Sequence, residues 1–171
     1  MKKYKIAVLD DYQNVALASA DWSVLRDRAD ITVFHDHLAD PDTLIERLLP
    51  FDVVCVMRER TPLPRNVIER LPNLKLIAST GSGNASIDVA AAGDHGIAVV
   101  HTGYRSHPTI EFTWALILAS ARHIVTESNS VRSGGWQQTV GTDLRDQTLG
   151  VLGLGRIGSQ GRSRELGALL E

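Results

Sequence analysis

The chain has 171 residues, enough for one domain and part of a second. Hydrophobic residues make up 43% of it and charged residues 22%, which is typical of a folded globular protein and excludes extensive disorder. With 18 basic and 20 acidic residues the net charge is −2, so the charge balance does not indicate a nucleic-acid or anionic-membrane partner.

The sequence predicts neither a signal peptide nor a membrane span. The apolar run after the charged start covers only residues 6–9, which is too short for a signal-peptide core. The most apolar helical stretch, 114–124, is too short and too polar to cross a bilayer. The single cysteine, Cys55, lies in an apolar run, so we expect a buried thiol and a reducing, cytoplasmic environment.

Short apolar runs that alternate with helical patterns predict an α/β fold. The first five predicted strands start roughly 20 to 26 residues apart, which leaves room for one helix and two loops between strands, as in βαβ units. The runs at 53–57 and 97–100 are continuously apolar, which is typical of strands covered by helices on both faces. The six predicted strands cover 5–9, 31–34, 52–57, 74–78, 97–101 and 148–152.

Helices are predicted between these strands from their caps. Asp40 is a suitable N-cap for the first helix, and Pro41 suits its first position. Asn66 is predicted to cap the second helix, and either Ser86 or Asp88 the third. The apolar stripe of the first helix consists of Leu44, Ile45, Leu48 and Leu49.

A long helix is predicted over 109–128. Its apolar face is wide, which indicates burial on several sides, as for a helix between two domains. Gly134 and Gly135 break this helix, and a polar stretch then leads to the sixth strand.

The sixth predicted strand runs directly into a Gly-x-Gly-x-x-Gly motif. Gly153 would allow a tight turn, Gly155 would leave the backbone open to a pyrophosphate, and Gly158 would let the next helix pack closely. The start of that helix would face the phosphates, and Arg156 could add charge at the rim. The alternative is a glycine-rich turn that binds nothing. The acidic ribose-binding residue expected about 20 residues further on is not in the sequence, so both NAD and NADP remain open.

Two polar loops follow predicted strands and are candidate ligand sites, because open α/β sheets bind ligands near the carboxyl ends of their strands. The first holds Arg58 and Arg60, and an arginine there could fork onto a substrate carboxylate. A solvated charged loop is the alternative. The second, at 79–84, could offer backbone N–H groups to an anion, and a plain turn is equally compatible. His35 and His37 could chelate a metal, but no third ligand has a recognisable spacing, so no metal site is predicted.

Five segments together resemble the D-isomer-specific 2-hydroxyacid dehydrogenase family, in order and spacing, over essentially residues 5–160. They are 74–88, 96–99, 111–119, 135–136, and Leu144 with 148–158. The resemblance implies a flavodoxin-like parallel-sheet domain followed by the first strand and helix of a Rossmann-type domain that is incomplete. The implied domains are a substrate-binding domain at 1–105, an interdomain helix at 106–130 and a truncated start of an NAD(P)-binding domain at 131–171.

The resemblance also implies an activity, the NAD(P)-dependent, reversible oxidation of D-2-hydroxy acids to 2-oxo acids, by a homodimer in the full-length family. The substrate-binding residues that it implies are Arg58, Arg60, Ser82 and Gly83. The cofactor-binding residues that it implies are Thr109, Gly153, Leu154, Gly155, Arg156, Ile157 and Gly158.

The family's substrate-binding Arg, its general acid/base His and the Glu that tunes this His lie downstream of the segments that match. No catalytic residue is therefore assigned, and we expect negligible dehydrogenase activity from this chain alone. The polar stretch 160–167 departs from the family's apolar helix, as after a frameshift or an artificial truncation. The alternative functions are a non-catalytic carboxylate-binding or interaction module, or the product of a frameshifted pseudogene.

Overall fold

The computed structural model describes residues 3–161, which fall into two compact units divided between Tyr104 and Arg105. Unit 1 contains a sheet in the order β2-β1-β3-β4-β5, in which every neighbouring pair is parallel. This is the flavodoxin-like strand order, and it confirms the predicted α/β class. The strands are β1 Tyr4–Val8, β2 Ala29–Val33, β3 Val53–Val56, β4 Leu76–Ser79 and β5 Ala98–His101.

Three helices and one 3-10 helix connect these strands. The 3-10 helix Trp22–Leu25 lies between β1 and β2, and the helices are α1 Pro41–Leu48, α2 Arg65–Ile68 and α3 Val89–Asp94. Two cap predictions are confirmed, since the carboxylates of Asp40 and Asp88 accept hydrogen bonds from the first turns of α1 and α3.

The predicted cap of the second helix is wrong. Helix α2 begins at Arg65, so Asn66 lies inside it. Pro64, with an extended backbone, occupies the cap position and fixes where the helix starts. The predicted apolar stripe of α1 is also one residue too long, because Leu49 is 41% exposed.

The main core lies on one face of the sheet, under α1, α2 and α3. Val54 and Val56 of β3 point into it and are almost fully buried. The other face is covered by the β1–β2 connection, and Val53 and Cys55 are only partly buried there. The prediction that helices cover both faces of the strand at 97–100 is wrong. This strand, β5, is an edge strand, and Val100 is 47% exposed. Burial raises the pKa of the Cys55 thiol to about 11, which keeps it protonated and unreactive.

Unit 2 contains α4 His107–Ala121, α5 Ile124–Arg132 and the short helix α6 Gly158–Gly161. The single long helix predicted over 109–128 is wrong, because His123 adopts a left-handed backbone (φ 52°) that ends one helix and begins the next. The predicted break after the second helix is confirmed, since Gly134 follows α5 with φ +84°. No helix among residues 3–161 combines the length and apolar character that a membrane crossing requires.

The sixth predicted strand, 148–152, is wrong as a strand. A parallel strand is held by hydrogen bonds to its neighbours, and the described part of unit 2 contains no other strand to supply them. Its apolar side chains are exposed, Leu152 completely. The prediction about the polar tail concerns 160–167, of which 162–167 lie outside the described residues.

Candidate functional site

Three polar loops of unit 1 meet at the carboxyl edge of its sheet. They follow β1, β3 and β4, and all three strands end at the same edge because the sheet is parallel. The loops after β3 and β4 are the two that sequence reasoning marked as candidate ligand sites. The loop after β1 holds Asp10 and Asp11.

Arg58 lies over the turn at Gly81. Its backbone is left-handed (φ 51°), which is unusual for a residue with a side chain. Its N–H donates to Oγ1 of Thr80 (3.0 Å), and its carbonyl accepts from Nδ2 of Asn84 (2.5 Å). Nη1 of the guanidinium is 3.3 Å from where a Cβ on Gly81 would stand, and its Cζ is 6.0 Å from the ring centre of Tyr104.

The Gly81 turn leaves two backbone N–H groups available. Gly81 itself has φ +93°, and its N–H donates to Oγ1 of Thr102 (2.8 Å). The N–H groups of Ser82 and Gly83 donate to no other described residue. A Cβ on Gly83 would meet nothing within 4 Å, so this side of the turn faces open space. A guanidinium lying over a turn that carries two available N–H donors suits a carboxylate.

Arg60 is directed elsewhere. Its Nη1 donates to the carbonyl of Asp10 (2.8 Å), and its guanidinium stacks on the ring of Tyr12 at 4.8 Å. Together with His37 it lines a separate surface cavity of about 320 Å³ beside α1 and α2. The structure therefore places the Arg58 guanidinium, and not that of Arg60, over the Gly81 turn.

Asp10 ties the loops of this edge together, and sequence reasoning missed this role. The residue is 1% exposed and left-handed (φ 58°). Its Oδ2 accepts from Oγ1 of Thr61 (2.6 Å), while Oδ1 accepts from the Tyr12 hydroxyl (3.3 Å) and lies 2.9 Å from Nδ1 of His37. Burial and the charge of Asp10 raise the pKa of Tyr12. Nδ1 of His35 is 2.8 Å from the Asp11 carbonyl, so both candidate chelating histidines contact this loop.

Asp11 caps the turn after β1. Its two carboxylate oxygens accept hydrogen bonds from the N–H groups of Val15 and Ala16, each at 3.0 Å. These bonds favour the ionised form and hold the pKa of Asp11 below its usual value.

We expect this lowered pKa to make stability depend on acid. Because the folded-state pKa of Asp11 is depressed, its contribution is present above the unfolded-state value, about 3.9, and is lost as pH falls through the folded-state value. Urea unfolding of the wild type and of Asp11→Asn between pH 7 and pH 2.5 measures this, and the difference in unfolding free energy should narrow in acid. Asp27→Asn, at a carboxylate without a hydrogen bond to a described residue, is the control. A difference that stayed constant with pH would contradict the assignment.

In unit 2, the glycine motif forms a tight turn. Gly153 has φ +88°, and a Cβ on Gly158 would stand 2.1 Å from the Gly153 carbonyl oxygen. Gly155 differs, because a Cβ there would meet nothing within 4 Å. Two of the three glycines are thus required by the turn itself, while the third keeps the space in front of the turn open. Thr109 is exposed in the first turn of α4.

These features define an α/β protein with a flavodoxin-order sheet, a carboxylate-compatible turn at its carboxyl edge and a glycine-rich turn of the dinucleotide-binding type. The family model described as D-isomer specific 2-hydroxyacid dehydrogenase, catalytic domain, matches residues 6–148. The chain belongs to this family of oxidoreductases, as the sequence segments predicted.

The chain is also similar to individual known proteins. The chain is 34% identical over 169 residues to a hydroxypyruvate reductase of Thermotoga maritima, covering 97% of this chain and 53% of that protein. It is similar to the crystal structure of a phosphoglycerate oxidoreductase from Vibrio cholerae O395 (38% identity, TM-score 0.87, 98% of this chain and 53% of that one). It is also similar to the pyruvate reductase of Chlamydomonas reinhardtii (28% identity, TM-score 0.79, 98% and 49%). The chain spans about half the length of these proteins.

Proposed function

We propose that this chain supplies the substrate-binding part of an NAD(P)-dependent D-2-hydroxyacid dehydrogenase, which interconverts a D-2-hydroxy acid and its 2-oxo acid. The observation that carries the proposal is the guanidinium of Arg58 lying over a turn whose next two N–H groups are available. Relatives include a hydroxypyruvate reductase and a glyoxylate reductase, so short 2-oxo acids are the proposed substrate class.

The proposed role of unit 1 is to bind and orient the substrate carboxylate. Arg58 would donate charge-assisted hydrogen bonds, and the N–H groups of Ser82 and Gly83 would donate to the same group. A carboxylate held from both sides fixes the direction in which the neighbouring 2-carbon points, which is the orientation that hydride transfer requires. For Arg60, whose guanidinium donates to the Asp10 carbonyl, a role in carboxylate binding is proposed from the family resemblance alone.

The glycine turn of unit 2 fits a nicotinamide dinucleotide. The open space before Gly155 and the left-handed turn at Gly153 are what a pyrophosphate lying against the backbone requires. Residues 153–158 would hold it, and Thr109 is proposed to lie near the nicotinamide ring. When bound, the cofactor accepts or donates the hydride; NAD and NADP are both compatible.

The remaining proposals rest on the family. We propose a cytoplasmic protein that is a homodimer at full length and has no nucleic-acid or membrane partner. No residue of the chain is assigned to proton transfer, and turnover by the 171 residues alone is expected to be negligible. The rival function, a small-carboxylate-binding module without catalysis, would use the same Arg58 site, but dinucleotide would leave its affinity for carboxylates unchanged.

Arg58→Gln is expected to weaken hydroxypyruvate binding by about 10- to 100-fold, because a hydrogen bond to a charged group contributes about 1.5–3 kcal/mol. Glutamine is shorter than arginine and carries no charge, but it keeps the Cβ, so the steric conditions on the backbone at this position are unchanged. NMR titration of the purified chain with hydroxypyruvate measures the affinity.

Two controls define the result. Dihydroxyacetone, which carries CH₂OH in place of the carboxylate, should bind equally weakly to both proteins. Arg28→Gln, at an exposed arginine of the same unit, should bind hydroxypyruvate as the wild type does. Unchanged hydroxypyruvate affinity in Arg58→Gln would refute the proposed carboxylate site.

A further inference from the structure

We infer that Thr80 and Asn84 are positioning residues that hold Arg58 in the left-handed backbone conformation in which its guanidinium lies over the Gly81 turn. The inference rests on the proposed function, since it concerns the same carboxylate site. It starts from the left-handed backbone of Arg58 (φ 51°), which is unfavourable for any residue with a Cβ and persists only where surrounding contacts enforce it.

The contacts that enforce it come from the loop after β4. Oγ1 of Thr80 accepts the N–H of Arg58 at 3.0 Å, and Nδ2 of Asn84 donates to the Arg58 carbonyl at 2.5 Å. Both polar backbone groups of Arg58 are therefore held, one on each side of its Cα. The Arg58 side chain itself has weaker contacts, with Glu59 Oε2 3.8 Å away. Its position thus follows from its backbone.

Asn84 can make this contact in only one orientation. Its Oδ1 accepts from the backbone N–H of Ser86 (3.0 Å), and a backbone N–H can only donate, so the amide oxygen is assigned without ambiguity. The Nδ2 group is then directed at the Arg58 carbonyl and at Oγ of Ser79 (3.1 Å), which is buried in β4. The amide is 9% exposed and anchored to the sheet, so it acts as a rigid support.

The two supports also flank the N–H donors of the site. Thr80 and Asn84 stand on either side of 81–83, the stretch that carries the free N–H groups. The same two side chains therefore fix the guanidinium relative to those donors, so that both reach one carboxylate. Carboxylate affinity should depend on Thr80 and Asn84 although neither is assigned a contact with the substrate.

The test uses Thr80→Val, which keeps the shape but cannot accept the Arg58 N–H, and Thr80→Ser, which keeps the acceptor. We expect Thr80→Val and Asn84→Ala to weaken hydroxypyruvate binding about tenfold, while Thr80→Ser binds within about twofold of the wild type. In an Arg58→Gln background, neither Thr80→Val nor Asn84→Ala should weaken binding further, because both act through the guanidinium. An equal additional loss in that background would overturn the positioning role.

A second readout separates this inference from the proposed function. Backbone NMR chemical shifts of Arg58 report its conformation without any ligand. They should leave the left-handed range in Thr80→Val and Asn84→Ala and stay within it in Thr80→Ser. If the wild type bound no hydroxypyruvate, the proposed function would fail while these shifts still decided the positioning role. Left-handed shifts in all three variants would overturn it.

Discussion

Replacing Asp10 with alanine is expected to lower the free energy of unfolding by about 3 kcal/mol. The carboxylate is buried and joins the loops after β1, β2 and β3 through Thr61, His37 and Tyr12. Its removal leaves the hydroxyl of Thr61, itself 2% exposed, without its acceptor, and an unsatisfied buried polar group costs about 1–3 kcal/mol. The lost hydrogen bonds to Tyr12 and His37 add to this. Urea unfolding of the purified variant measures the change.

Two other substitutions serve as references for this change in unfolding free energy. Asp10→Asn retains an oxygen that can accept from Thr61, so we expect a loss of only about 1 kcal/mol. Asp36→Ala removes an exposed ion pair with Arg47 and should cost less than about 1 kcal/mol. If Asp10→Ala were as mild as Asp36→Ala, the carboxylate would not hold the three loops together.

The sequence was sufficient to predict the sheet of unit 1 because its strands are set by local patterns. Apolar runs at regular spacing located all five strands, and the caps at Asp40 and Asp88 located two of the helices. Whether a strand is central, with both faces covered, could not be predicted in the same way. The run at 97–100 is apolar like a central strand, yet β5 is an edge strand, because strand order depends on contacts between distant segments.

The error in the long helix has a different physical cause. His123, Arg58 and Asp10 all adopt left-handed backbones without being glycine, and no local sequence pattern predicts such a conformation for these residue types. A glycine such as Gly134 indicates a turn in the sequence, whereas a histidine within an apolar helical pattern does not. The long helix was therefore predicted as continuous.

The candidate site was predicted in parts. Parallel strands end at one edge, which brought the loops holding Arg58 and the Gly81 turn together as expected. The sequence pattern could not predict where each guanidinium points, since Arg58 and Arg60 have the same side chain and lie in one loop. The contact of Arg60 with the Asp10 carbonyl separates them, and that contact joins residues 50 positions apart.

Two alanine substitutions in the glycine turn of unit 2 are expected to differ in their effect on the turn itself. A methyl group on Gly158 would stand 2.1 Å from the Gly153 carbonyl oxygen, so the turn must rearrange. A methyl group on Gly155 would meet nothing, so the turn should keep its structure. NMR spectra without nucleotide should therefore change around 153–161 in Gly158→Ala and remain close to those of the wild type in Gly155→Ala.

Both substitutions are nevertheless expected to weaken NADH binding at least about tenfold, for different reasons. Gly158→Ala distorts the turn, whereas Gly155→Ala fills the space that a pyrophosphate needs against the backbone. NADH fluorescence titration measures the affinity, and Gly150→Ala, whose added methyl group also meets nothing within 4 Å, should bind as the wild type does. Wild-type affinity in Gly155→Ala would show that the pyrophosphate does not lie against this turn. The added methyl group contacts no described residue of the protein, so it can affect affinity only by obstructing a bound ligand.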